Sequence, residues 1–72
     1  MLEIQKMLKE IAMEKTKAYL NHHKIDAVDI QKCRVENPFP TGVNNFYAVY
    51  CGRDVNWNIY QKMLDFLQKK GF

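Results

Sequence analysis

The chain has 72 residues, 47% of them hydrophobic and 26% charged, a globular composition that excludes the polar, highly charged regime of disordered segments. Eleven Lys and Arg against eight Asp and Glu give a formal charge of +3, carried by the two ends of the chain around a nearly neutral middle, which makes no basic stripe, and no apolar run approaches membrane-spanning length. One domain over residues 1–72 is expected, near the size where a single core contributes only about 3–5 kcal/mol, so self-association would add burial that a monomer lacks.

The start, Met1-Leu2-Glu3-Ile4-Gln5-Lys6, carries an early acid and resembles neither a secretory signal nor a transit peptide. A cytoplasmic setting with reduced thiols is expected. Ile4, Leu8, Ile11, Ala12, Ala18 and Tyr19 recur at three- and four-residue steps, so the spacing predicts an amphipathic helix from about Leu2 to Leu20 with a Lys and Glu outer face. Asn21 is a plausible stop, and His22, His23 and Lys24 place cationic or polar groups at the negative end of the helix dipole.

From Ile25 to Glu36 the pattern turns to period two, with Val28 and Ile30 on one face, and then changes phase to Cys33 and Val35. This reads as a strand with a bulge near Gln31 and Lys32, or as a strand that uses both faces. Asn37-Pro38-Phe39-Pro40-Thr41-Gly42 reads as a hairpin connection, since two prolines lack donors and Gly42 favours a turn. Phe39, held between prolines, is either a presented knob or a cover for its own core. Phe46-Tyr47-Ala48-Val49-Tyr50-Cys51 reads as a second strand with no polar face, ended by Gly52. Symmetric pairing about the connection leaves Cys33 and Cys51 roughly 13 Å out of register, so no intrachain disulfide is expected; both read as small buried strand residues, with a mildly reactive thiol the lesser reading for Cys51 beside Gly52 and Arg53.

Residues 55–60 are ambiguous: Val55, Trp57 and Ile59 alternate as in a third strand, whereas Asp54 could cap a helix whose stripe is Trp57, Tyr60, Leu64 and Leu67. The helix is the stronger reading. Gly71 after its last turn, with Phe72 folding back, matches a Schellman-type ending. The expected fold is therefore α+β: a small αββα domain, an antiparallel β-hairpin covered on one face by two helices, with a possible third strand at 55–60.

No catalytic set emerges. The chain has no serine, and Thr16 and Thr41 have no evident histidine and acid partners. His22 and His23 are adjacent, a poor spacing for chelating one metal, and three glycines make no phosphate loop. No enzymatic activity, cofactor or metal is expected.

The uncovered sheet face implies instead a small interaction or regulatory protein that binds a macromolecular partner, as a homodimer, with an unidentified protein partner and no membrane. Phe39, Phe46, Tyr47, Tyr50 and Trp57 are the expected partner-binding residues. The alternative is a nucleic-acid binder in which Tyr47 and Tyr50 stack on bases while Lys32 and Arg34 meet phosphates.

Overall fold

Four helices and their connections account for residues 2–72, the part of the chain described by the computed structural model: α1 (Leu2–His23), α2 (Ala27–Gln31), α3 (Val43–Tyr50) and α4 (Trp57–Lys69). No strand occurs among the described residues, so the expected αββα hairpin, and with it the third strand at 55–60, is overturned.

The first expected strand, Ile25 to Glu36, is a helical turn and its exits. Asp26 caps it by accepting a hydrogen bond from the Val28 amide at 2.9 Å, and Ala27 and Ile30, three apart, are its buried residues. Val28, which seemed to pair with Ile30 on a strand face, is 37% exposed. The second expected strand is α3. An all-apolar run fits neither period better than the other, so tertiary burial decides. As a helix it sends Phe46 and Val49, three apart, fully inward and leaves Tyr47, Ala48 and Tyr50 half-buried. A hairpin in a chain this short would have left one whole face without cover.

All four helices stop in the same way. In each, one residue beyond the cap takes a left-handed conformation and the next amide turns back onto the helix: Lys24 (φ 56°), Cys33 (φ 59°), Gly52 (φ 78°) and Gly71 (φ 86°). The returning amides are Ile25 to the Leu20 carbonyl, Arg34 to Asp29, Arg53 to Ala48 and Phe72 to Leu67, at 2.8–2.9 Å. These are Schellman endings, which satisfy carbonyls that a helix end otherwise leaves free. The ending expected at Gly71 and Phe72 is present. Asn56, rather than Asp54, caps α4 by accepting from the Asn58 amide at 2.9 Å.

The connection from 37 to 41 is tied by a single side chain. Asn37 accepts from the Phe39 amide at 3.0 Å and donates to the Thr41 carbonyl at 2.7 Å. No peptide bond is cis among the described residues, and Phe39 is folded inward at 5% exposure, its ring stacked on Phe46 at 4.8 Å. The connection from α3 to α4 is held by Tyr60, whose hydroxyl donates to the Arg53 carbonyl at 3.2 Å and accepts from the Val55 amide at 3.3 Å.

Packing fixes the directions. Lys9 on α1 meets Asp54 just before α4 at 2.9 Å, while Tyr19 meets Phe66 and Phe72 at the other end, so α4 runs the same way as α1. Lys17 lies over Tyr50 and Met13 lies against Gly52, so α3 runs the opposite way to α1 and packs beside it, with α2 packed on α3. Ile30, Phe46, Val49, Met63 and Leu67 are fully buried at the centre. Each such side chain contributes about 1.5–3 kcal/mol. Around them Tyr19 makes ring contacts with His23, Phe39, Phe66 and Phe72, joining α1 to the 37–41 connection and to the end of α4.

Candidate protein-interaction surface

α1 has 22 residues, so at 1.5 Å per residue it is about 33 Å long, close to the 37 Å longest dimension of the molecule. Its apolar residues divide into two stripes. Ala12, Thr16, Tyr19 and Leu20 are buried against α3 and α4. Ile4 and Met7 are each 60% exposed and Ile11 41%, and Ala18 continues the same line as an exposed residue. At 100° per residue the second stripe lies roughly 130° around the axis from the first. Ile4, Ile11 and Ala18, expected on the inward face, therefore point away from the core.

Leu8 packs against the core, whereas Ile4, Lys6 and Met7 before it are exposed. Lys9 lies on the far side of α1 from the outward stripe, so its 2.9 Å pair with Asp54 leaves the stripe uncovered. The Asp54 carboxylate, by hydrogen bonding and by charge, holds the Lys9 ammonium above its ordinary value.

The residues expected to bind a partner are scattered by the fold. Phe39 and Phe46 are core residues, at 5% and 0% exposure. Tyr47 and Tyr50 are half-buried on α3, their rings stacked on each other at 5.9 Å, with the Lys17 ammonium 5.5 Å from the Tyr50 centroid. Trp57 is 42% exposed at the first turn of α4, close in sequence to Asp54 and thus on the Lys9 flank. Lys32 is exposed at the cap of α2, and Arg34 lies 3.7 Å from Asp29.

No family model, curated protein or solved structure matches this chain. The surface is therefore read from its own chemistry.

His22 and His23 are exposed, with rings 4.9 Å apart and perpendicular, one against Phe72 and the other against Tyr19. Among the described residues no group of three His, Cys, Asp or Glu side chains is placed to hold a metal. Cys33 and Cys51 are free thiols, and both are exposed, not buried in strands as the hairpin required. Tyr47, one turn before Cys51, has its phenol held above the ordinary value, first by charge on the Cys51 sulfur and then by burial. Next to Tyr50 a cleft of about 350 Å³ opens between the last turns of α1 and the start of α2, lined by Lys17, Leu20, Asn21, Ile25 and Asp26.

Met7 is the residue that the reading of the sequence passed over. Its signal was present in the spacing of Ile4, Met7, Ile11 and Ala18, a second line of apolar residues on a helix that needs only one to reach its core.

Proposed function

We propose that this chain is a non-enzymatic protein-interaction or regulatory module that docks a protein partner through the outward stripe of α1. The observation that carries this reading is the exposure of Ile4 and Met7, 60% each, beside Ile11 on one line of the longest helix. Single exposed apolar residues need no explanation, but a line of them along one helix, away from its core face, is the pattern of a helix-docking surface. A reducing, cytoplasmic setting is part of the reading, since both thiols are free at the surface. Nucleic-acid binding has less support, because Arg34 is engaged by Asp29 and the two tyrosines stack on each other.

Photo-crosslinking in the cells that make the protein tests this. A benzophenone amino acid at Met7 is expected to give discrete protein adducts, and the same group at exposed Gln61 is expected to give none. Equal labelling patterns at the two positions, or no adduct at either, would reject the proposal.

A further inference from the structure

Resting on that surface, we propose that its occupant is a second copy of this chain, with the two α1 helices side by side and parallel. Ile4, Met7, Ile11, Glu14 and Ala18 succeed one another at steps of three, four, three and four, the spacing of the a and d positions of a heptad. In that frame Glu10 falls at a g position and Lys15 at an e position, on opposite flanks of the stripe. Glu10 is exposed and Lys15 half-exposed, and neither forms an ion pair among the described residues.

Orientation follows from charge. In a parallel pair a g residue meets the e residue five positions on in the other helix, so Glu10 faces Lys15 of the second copy, and the twofold axis makes this contact twice. Ile4, Met7 and Ile11 then each meet their own copies across the axis. In an antiparallel pair that sets Met7 against Ile11, the two Glu10 side chains come together and Ile4 faces Glu14. Both are unfavourable. Glu14 is the one charged residue on the seam. In the parallel pair it meets its own copy across the axis, a like-charge contact flanked by the two Lys15 side chains, and so ends the apolar section at Ile11.

The seam is short, so association belongs to the weak, concentration-dependent class. Sedimentation equilibrium over a concentration series is expected to show mass rising from one chain to two. Ile11→Asp should abolish the rise while keeping the helical circular-dichroism signal, because Ile11 is outside the core. Glu14→Leu adds an apolar layer and should tighten the dimer about tenfold or more. With Cys33 and Cys51 replaced by Ser, Met7→Cys should oxidise to a disulfide-linked dimer, since the two copies of this position meet on the axis.

A wild-type chain that keeps the mass of one copy up to millimolar concentration overturns the proposal. So does a dimer in which Met7→Cys does not cross-link. The two readings fail separately: an adduct at Met7 with a different protein, alongside a monomeric chain, leaves the docking surface standing and removes the second copy as its occupant.

Discussion

Thr16 stands at the centre of α1 with its side chain fully buried and its hydroxyl without a hydrogen-bond partner. Burying a hydroxyl unpaired costs about 1–3 kcal/mol. Its counterpart Thr41, also buried, shows the alternative, donating to the Met63 sulfur at 3.4 Å. Thr16→Val keeps the shape and removes the orphaned group, so it should raise stability by about 1 kcal/mol, read as a thermal midpoint several degrees higher. A lower midpoint for Thr16→Val would show that the hydroxyl has found a partner.

At the scale of the elements, the four helix ends share one geometry but not one residue type. Gly52 and Gly71 occupy the left-handed position without penalty, whereas Lys24 and Cys33 carry a Cβ there, which costs roughly 1–2 kcal/mol. Lys24→Gly should therefore stabilise the protein, by about 0.5–1 kcal/mol once the greater freedom of the unfolded glycine chain is deducted. Gly52→Ala should do the reverse. It adds strain at φ +78°, and the new Cβ would stand 3.1 Å from the Met13 sulfur. Denaturant midpoints for the two variants should move in opposite directions; a shift of the same sign in both would contradict the shared role assigned to the two positions.

For the molecule as a whole, the long helix is fastened to the connection before α4 by Lys9 and Asp54 at 2.9 Å. The folded protein holds the Lys9 proton more tightly than an unfolded chain, whose ordinary value is 10.5, so the contribution is complete below that pH and lost as pH rises through the folded value. Tyr47, also raised, acts in the same direction, because its neutral phenol is the form that the fold favours. Thermal midpoints should hence fall in the alkaline range, and Lys9→Gln should make the fall shallower. An unchanged alkaline slope in Lys9→Gln would remove the ion pair from this account. The same fastening leaves the outward side of α1 uncovered.

Much of α1 and α4 was legible along the chain, since both are long enough for the helical period to show and Gly71 with Phe72 marked an end. α2 and α3 were not. α2 has five residues, too few for any period, and α3 is apolar on every side, so neither spacing could separate helix from strand. Two of the four stops were hidden as well, because Lys24 and Cys33 are not residues that announce a left-handed turn. Of the candidate site, the spacing of residues 4, 7, 11 and 18 holds them to one line of α1, but nothing in that spacing says which side of the core the line falls on, and Ile4, Ile11 and Ala18 were expected on the inward one. Local spacing shows which residues share a face of α1. Where α3 and α4 dock against that helix sets which face is covered, and docking depends on contacts between segments far apart in the chain.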